Sequence, residues 1–305
     1  MKRLQVIINR RAGTVLTLGE LQAERAVRAG LAQASLDYRI TFVAPQDLAA
    51  AVCEARDVGF DVVAVGGGDG TLRTAAELLL GSEMTLAILP LGTLNLLSKD
   101  LRIPQDLEEA ARTIAEGIIQ DRRQPVDVGT LQGEIFLVKA MISKVNATVR
   151  ARERVRSRFN PWSWLKILWR AGRRLLQSRR RRYRIAFEPE GDSAETRTVH
   201  TTMLTVAVNR ITGALDNPFA RPDLAGGKLA VYRFPELFGA PDSDPPNTLG
   251  PGNSLTDGYL IGQAGVIEIT TRRPRVYASL DGELLLLRTP LRFQVRPKAL
   301  TMIGG

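Results

Sequence analysis

Two glycine-rich loops, each directly after an apolar run, constrain the fold of this chain more than any other feature. The run DVVAV at 61–65 leads into GGGDGT at 66–71, and the run TLAIL at 85–89 leads into PLGTLN at 90–95. A stretch with helical character follows each loop. A buried strand, a glycine turn and a helix, used twice in succession, are typical of a largely parallel sheet covered by helices.

The same alternation extends over the first 128 residues. An early helix is predicted by small and apolar residues at helical spacing: Ala23, Ala26, Val27, Gly30 and Leu31. The other predicted elements are strands at 4–8 and 38–43 and helices near 46–57, 72–80, 94–100 and 106–117. We therefore expect an N-terminal doubly wound, Rossmann-like α/β domain over residues 1–128.

The pattern of predicted secondary structure changes after Val126. Short β-like runs then dominate, at 183–187, 203–208, 228–234, 266–270, 275–280, 283–288 and 291–295. They predict a second, mostly β, sandwich-like domain over residues 129–305. We leave open that the tail, about 291–305, returns to the first domain. Residues 239–258, rich in Gly, Pro, Asp and Asn, are predicted to form a long exposed loop.

Positive charge is concentrated in one segment. The chain has 42 Lys and Arg against 32 Asp and Glu, a net charge of +10. Residues 150–184 hold fourteen basic residues and one acid, a net +13, so the remaining residues sum to −3. One Cys and one His exclude a disulfide framework, a multi-cysteine zinc site and a histidine-rich metal site.

A basic amphipathic helix is predicted at about 160–178, because Asn160 and Pro161 form a good helix start. Its aromatic and cationic residues suit a helix lying in an anionic membrane surface. A core-packed helix with a solvated cationic face is the plainer interpretation, and RRRRYR at 179–184 could instead bind nucleic acid, which we regard as the weaker hypothesis. The residues assigned to the membrane surface are Trp162, Trp164, Lys166, Trp169, Arg170, Arg173 and Arg174.

The two glycine loops have the composition of a phosphate cradle. Glycines let backbone N–H groups approach phosphate oxygens, and the helix that follows adds its positive end. Asp69 is unusual there, because a carboxylate repels a phosphate unless it binds Mg²⁺ or takes a proton. In the second loop Gly92, Thr93 and Asn95 offer close approach, a hydroxyl and an amide. A glycine-rich turn without any ligand is the alternative.

These residues resemble the diacylglycerol kinase catalytic-domain superfamily, the bacterial lipid kinases that are also related to sphingosine kinases. GGGDGT and PLGTLNLLSKDLRIP are similar to its Gly-Gly-Asp-Gly-Thr loop and its Gly-Thr-x-Asn element. The other similar segments, in family order, are NRRAG at 9–13, VDVG at 126–129, LAGGKLAVY at 224–232 and SLDGE at 279–283.

The resemblance implies transfer of the γ-phosphate of ATP to a lipid hydroxyl, with diacylglycerol as the favoured acceptor. It makes residues 1–128 the nucleotide-binding domain and residues 129–305 the lipid-substrate domain, and it implies Mg²⁺ near Asp69 and Asp127. The residues that it assigns to the nucleotide are Asn9, Gly13, Thr41, Gly66, Gly67, Gly68, Asp69, Gly70, Thr71, Leu72, Gly92, Thr93 and Asn95.

A carboxylate must accept or orient the proton of the attacking hydroxyl. SLDGE lies between two predicted strands, so a tight turn would present Asp281 and Glu283. The candidates for the proton acceptor are therefore Asp281, Glu283 and Asp69. The alternative is a plain hairpin turn with Asp-Gly at its tip.

The chain departs from the family pattern at four places, the first of which is in NRRAG, where Arg10 and Ala12 stand in place of the family's Pro and Ser. Leu96 follows Asn95 where the family often has Asp, Lys139 stands where it usually has Asn, and AGG at 225–227 lacks an Asp that supports a structural metal in some members. Two other functions therefore stay open. One is a soluble small-molecule kinase of the NAD kinase type, which shares the GGDGT loop, and the other is a non-catalytic nucleotide- or lipid-binding protein.

The partners implied are a lipid substrate and an anionic membrane surface. No run of the sequence approaches the length of about 18 apolar residues that a membrane span needs. The expected location is the cytoplasm, with peripheral association at the inner face of the cell membrane. The sequence leaves the oligomeric state open, a homodimer included.

Overall fold

The structure is a computed structural model that describes residues 2–143, 181–188, 195–212, 217, 219–233 and 259–305. These residues form two compact units. Unit 1 consists of Met1–Val128, Asn209–Gly227 and Arg296–Gly305, and unit 2 of Gly129–Val208 and Lys228–Val295. The predicted basic helix at about 160–178, with all its membrane-surface residues, and the predicted loop at 239–258 lie outside the described residues.

The sheet of unit 1 is parallel and has the order β2-β1-β3-β4, with the end of the last strand beside β4. Every residue of β3 and β4 is buried, as expected for strands covered on both faces. The strands are β1 (Arg3–Asn9), β2 (Asp37–Val43), β3 (Val62–Gly67) and β4 (Thr85–Pro90). The last strand of the chain, β16 (Leu291–Ile303), pairs with β4 near its own end, at Met302.

Helices connect these strands and pack in pairs, α2 with α6 and α3 with α4. A side chain at Gly30 in α2 would place its Cβ 2.3 Å from the Glu108 carbonyl oxygen, so this glycine allows the close α2–α6 contact. Asp106 caps α6 by accepting hydrogen bonds from the N–H groups of Glu108 and Glu109. The helices are α1 (Gly13–Leu18), α2 (Glu20–Leu31), α3 (Leu48–Asp57), α4 (Asp69–Leu79), α5 (Leu96–Asp100) and α6 (Leu107–Ile119).

Unit 2 is built almost entirely of antiparallel strands. The strands form two sets of hydrogen-bonded neighbours. The first set has the order β12-β11-β10-β7-β14-β15. In the second set β13 lies between β8 and Leu291–Gln294 of β16, and β9 pairs with the other edge of β8. Strand β5 (Arg123–Leu131) belongs to unit 1 up to Val128 and to unit 2 from Gly129. The other strands are β6 (Glu134–Phe136), β7 (Lys139–Ser143), β8 (Arg181–Phe187), β9 (Glu195–Thr201), β10 (Met203–Val208), β11 (Leu229–Arg233), β12 (Tyr259–Ala264), β13 (Val266–Thr271), β14 (Arg275–Leu280) and β15 (Glu283–Arg288).

Both sets of strands contribute to one apolar core in unit 2, in which Tyr183, Phe136 and Phe293 are the largest buried side chains. The rings of Phe136 and Phe293 meet edge to face, with centroids 6.2 Å apart. Two layers around a common core make this unit sandwich-like. The predicted fold class, a doubly wound, Rossmann-like α/β domain followed by a mostly β, sandwich-like domain, is confirmed.

Among the helices that the structure describes, none combines the length and the apolar character needed to cross a bilayer.

Candidate active site

Three loops meet at the carboxyl ends of β1, β3 and β4 in unit 1. The first loop follows β1, the second is the GGGDGT loop after β3, and the third is the PLGTLN loop after β4. The Asn9 Nδ2 donates to the Thr71 Oγ1 at 3.0 Å, which joins the first loop to the second. The Thr14 Oγ1 donates to the Leu91 carbonyl oxygen at 3.5 Å, which joins the first loop to the third. The edge where they meet is the one at which open α/β sheets bind ligands.

The glycines of these loops allow backbones and side chains to approach closely. A Cβ on Gly66 would lie 2.7 Å from Leu91 Cδ1, and a Cβ on Gly67 would lie 2.5 Å from the Thr71 side chain. A Cβ on Gly92 would lie 2.9 Å from the Cα of Gly68. The second and third loops therefore pack backbone against backbone, and glycine is required by space at each of these positions.

The amino terminus of α4 forms the centre of the loop cluster. Gly68 precedes the helix in an extended conformation and supplies no side-chain cap. Asp69 and Thr71 are half-buried and Gly70 is exposed. The first-turn N–H groups of an α-helix lack partners within the helix and carry its positive dipole end, so this eleven-residue helix presents an anion-binding end beside Asp69.

Asn95 fixes the shape of the third loop. Its Oδ1 accepts from the Gly92 N–H at 2.9 Å, and its Nδ2 donates to the Pro90 carbonyl oxygen at 3.3 Å and to the Gln105 Oε1 at 3.1 Å. The residue is 7% exposed and has a left-handed backbone with φ of 49°. Asn95 thus holds the loop, whereas Thr93 is exposed and offers its hydroxyl outward.

Three other residues assigned to the nucleotide have different places in the unit. Thr41 lies inside β2 opposite Ile7, and its hydroxyl accepts from the Gln5 Nε2 at 3.1 Å. Leu72 is buried in α4 and 3% exposed, so only its backbone belongs to the loop. Gly13 begins α1 and is exposed.

Asp127 is fully buried and joins three separate segments of unit 1. Its Oδ2 accepts from the Asn209 Nδ2 at 2.9 Å and from the Gly227 N–H at 2.7 Å, and its Oδ1 accepts from the Lys298 N–H at 2.7 Å. Both oxygens are therefore engaged by donors of the protein. This carboxylate closes the two ends of the 209–227 segment and secures the returning last strand.

A second buried carboxylate holds the middle of the same segment. The side chains of Asp100 and Arg221 are both 0% exposed, and their Oδ2 and Nε lie 2.8 Å apart. The Asp100 Oδ1 also accepts from the Asn217 Nδ2 at 2.9 Å. Burial raises the pKa of the Asp100 carboxyl, and the Arg221 guanidinium offsets part of that rise.

The fit of these residues to Mg²⁺ differs between the two predicted carboxylates. Asp69, half-buried at the start of α4, suits a metal that is carried by nucleotide phosphates and water, since protein Mg²⁺ sites commonly use one or two carboxylates. Asp127 does not suit direct ligation, because its oxygens face protein donors. Leu96 is 8% exposed and adds no carboxylate, and the described residues contain no cluster of three or more acidic, His or Cys side chains that could hold a metal.

In unit 2 the sequence SLDGE forms the turn between β14 and β15. Leu280 pairs with Glu283, and Asp281 and Gly282 have φ of 46° and 99°, as a two-residue hairpin turn of the Asp-Gly type requires. The Asp281 carboxylate accepts from the N–H groups of three consecutive residues, at 2.5, 3.0 and 2.9 Å. Those residues are Leu137, Val138 and Lys139.

Asp281 and Glu283 therefore differ in their surroundings. The three N–H donors occupy both oxygens of Asp281 and tie the turn to the segment before β7. Glu283 begins β15 and is exposed. Sequence reasoning identified the turn and its carboxylates, and it missed the contacts of Asp281 because their partners are more than 140 residues away.

The comparisons with known proteins agree with the resemblance seen in the motifs. Residues 3–131 match the model of the diacylglycerol kinase catalytic domain. The resemblance to this family that the sequence motifs indicated is confirmed over these residues.

The curated relatives match part of the chain. The chain is 37% identical over 138 residues to a "Probable lipid kinase YegS-like" of Pseudomonas aeruginosa, which covers 45% of this chain and 42% of that protein. It is 35% identical over 81 residues to a diacylglycerol kinase of Bacillus subtilis, 26% of this chain and 25% of that protein. The matches span less than half the length of these relatives.

Solved structures extend the likeness to the whole fold. A diacylglycerol kinase structure from Bacillus anthracis str. Sterne covers 100% of this chain and 97% of its own, with a TM-score of 0.66 and 21% identity. At that identity the likeness shows the fold alone.

Replacing Asp127 tests its structural role. In Asp127→Asn one oxygen becomes an N–H₂ group that faces backbone donors, so we expect the free energy of unfolding to fall by about 2 kcal/mol or more. Asp47→Asn, at an exposed position of the same unit where the side chain forms no helix-cap hydrogen bond, is the control and should stay within about 0.5 kcal/mol of wild type. Urea denaturation followed by circular dichroism measures both. Equal stability of the two variants would contradict the role assigned to Asp127.

Proposed function

We propose that this protein is an ATP-dependent lipid kinase, which transfers the γ-phosphate to the hydroxyl of a lipid, with diacylglycerol as the favoured acceptor. The observation that carries the proposal is the meeting of three loops around the amino terminus of α4, where Asp69 lies beside a backbone anion site. The match of residues 3–131 to the diacylglycerol kinase catalytic domain supports the same reaction class.

The nucleotide would bind through its phosphates to the loop cluster. The backbone at Gly68, Gly70 and Thr71 would face the phosphate oxygens, and Thr93 would add a hydroxyl. Asn9 and Asn95 would act by holding the loops, since their side chains bond to Thr71 and to the third loop. Gly66, Gly67 and Gly92 would keep the loops close enough to share one ligand.

Phosphoryl transfer depends mainly on in-line positioning and on neutralisation of phosphate charge. Mg²⁺ bound with the nucleotide would supply part of that neutralisation, and Asp69 is the residue placed to hold it. The protein itself contributes the helix end and the loop N–H groups, which bind the phosphates in a fixed orientation. Asp127 would support the site indirectly, by holding the 209–227 segment and the last strand in unit 1.

For the proton of the attacking hydroxyl we favour Glu283 over Asp281. Three backbone N–H groups hold both Asp281 oxygens in place, so that this carboxylate is fixed to the protein and is poorly placed to follow a substrate hydroxyl. Glu283 begins β15 one residue beyond the fixed turn and is exposed, so a substrate can reach its carboxylate. Asp281 then acts as a positioning residue for the turn, and Asp69 is the remaining candidate for the base.

The acceptor is a lipid, so the enzyme must work at a membrane surface. The net charge of +13 within residues 150–184 and the three Trp in that segment support attraction to anionic lipid. We propose peripheral association with the inner face of the cell membrane. A non-catalytic binding protein is the second candidate, since Leu96 is buried where the family often has a carboxylate.

Replacing Asp69 and measuring phosphate transfer to lipid tests the kinase proposal. Purified protein is incubated with ATP labelled at the γ-phosphate, Mg²⁺ and a total bacterial lipid extract, and the labelled lipid is identified. We expect a labelled lipid with wild type and with the control Asp57→Asn, an exposed carboxylate of α3. Asp69→Ala should keep the fold and lose the transfer by a factor of about 10² or more.

Three results would count against this proposal. Near-normal transfer by a folded Asp69→Ala would exclude the stated mechanism. Label that appears on a soluble acceptor such as NAD, and not on lipid, would favour the small-molecule kinase. No transfer to any acceptor, together with retained ATP binding, would favour the non-catalytic protein.

The two carboxylates of the turn are predicted to respond differently to removal of charge. Glu283→Gln should lower the turnover rate by roughly 10²-fold with little change in ATP affinity, since it keeps the size of the side chain and removes the base. Asp281→Asn should lower the free energy of unfolding by about 1.5–3 kcal/mol, because the charged acceptor of three N–H groups is lost. Steady-state kinetics and urea denaturation separate the two effects, and full activity of Glu283→Gln would show that the base lies elsewhere.

A further inference from the structure

Four arginines surround one open depression in unit 2, which we call the arginine pocket. Its volume is about 710 Å³ and it is lined by Arg272, Arg273, Arg275 and Arg288, together with Pro274 and Thr289. The first three arginines belong to the end of β13, the connection to β14 and the start of β14, and Arg288 ends β15. All four are exposed.

The backbone around the pocket is held by hydrogen bonds. The Thr289 Oγ1 donates to the Arg273 carbonyl oxygen at 2.6 Å, and the Thr289 N–H donates to the Pro274 carbonyl oxygen at 3.1 Å. The Gln132 Nε2 donates to the Arg288 carbonyl oxygen at 2.8 Å. The four side chains therefore project from a fixed rim.

Two of the arginines are cross-strand neighbours. Arg275 and Arg288 are direct partners in the antiparallel pair of β14 and β15. Like charges at directly opposite positions destabilise a pair of strands. An anion bound between the two guanidinium groups would offset this repulsion.

Among the residues that the structure describes, no carboxylate neutralises the charge of these arginines. None of the four guanidinium groups forms an ion pair with a described Asp or Glu. Other arginines of unit 2 do, as Arg197 with Glu195 and Arg292 with Glu188 show. The pocket thus has four formal positive charges among its six lining residues.

We propose that the arginine pocket is a binding site for a dianionic phosphate group, a phosphomonoester. The planar guanidinium fork matches phosphate oxygens in pairs, and an exposed site needs a multiply charged ligand to compete with salt. A phosphomonoester presents three oxygens and about two charges at neutral pH. The group could belong to a lipid headgroup or to a soluble compound, and the site does not depend on the proposed kinase activity.

A charge-matched pair of variants tests this proposal in the full-length protein. Arg275→Gln with Arg288→Gln removes the cross-strand pair, and Arg25→Gln with Arg102→Gln removes two exposed charges from unit 1. One arm titrates inorganic phosphate and glycerol phosphate by calorimetry. The other measures co-sedimentation with phosphatidylcholine vesicles with and without phosphatidate. The phosphate loops and residues 150–184 are unchanged in both double variants, so their contribution cancels.

We expect wild type and the Arg25/Arg102 control to bind the phosphomonoester, and the Arg275/Arg288 variant to bind at least about tenfold more weakly. Loss in the vesicle arm alone assigns the site to a lipid headgroup, and loss in both arms assigns it to the phosphate group whatever its carrier. Equal weakening of both double variants would show a general charge effect and overturn the proposal. So would the absence of any binding that depends on phosphate or phosphatidate.

Thermal denaturation provides a second readout that is independent of vesicles. Without phosphate and at low salt, the Arg275/Arg288 variant should melt at the wild-type temperature or above it, because the cross-strand repulsion is gone. Added phosphate should raise the melting temperature of wild type more than that of this variant. A variant that melts well below wild type and gains as much from phosphate would contradict an anion site at this pair.

Discussion

The contact on which the candidate site depends is the approach of Gly68 to Gly92. A single added methyl carbon on Gly92 would lie 2.9 Å from the Cα of Gly68 and 2.8 Å from the Asn95 Oδ1. Because the two loops lie this close, the end of β3, the start of α4 and the loop after β4 form one continuous backbone surface. The Asn9 side chain extends that surface to the end of β1 through Thr71.

Two buried carboxylates hold distant parts of the chain within unit 1. Asp127 fastens both ends of the 209–227 segment and the last strand, and Asp100 fastens the middle of the segment through Arg221. Asp100 ends α5, the helix that Asn95 precedes. Buried charges are costly unless they are paired and fully bonded, so these contacts favour one arrangement of the segment beside the end of α5.

The alternation of strands and helices in unit 1 could be predicted because local periodicity and glycine turns determine it. Strands predicted at 61–65 and 85–89 are observed as Val62–Gly67 and Thr85–Pro90. The inclusion of residues 209–227 in unit 1 could not be predicted, since the sequence had assigned them to the second domain. Their contacts join Asp127 to residues 82 and 100 positions away, and no local pattern marks such pairs.

The site residues divide in the same way, into features that local sequence indicates and contacts that only the fold brings about. Sequence composition identified the glycines, Asp69 and the Asp-Gly turn, because these types are required by close approach, charge and positive φ. It did not distinguish residues that face a ligand from residues that hold a loop. Asn95 and Asp281 both carry polar groups that bond to the backbone of the protein, and only the folded contacts reveal this.

The central claim is that the paired glycine loops bind the phosphates of ATP, and calorimetric titration of ATP·Mg²⁺ into Gly92→Ala tests it most directly. The added Cβ must push the two loops apart, so a folded Gly92→Ala should bind ATP at least about tenfold more weakly than wild type. The control is Gly265→Ala, whose Cβ would meet nothing closer than 3.9 Å and which should bind normally. Wild-type affinity in a folded Gly92→Ala would contradict the assignment of these loops to the nucleotide.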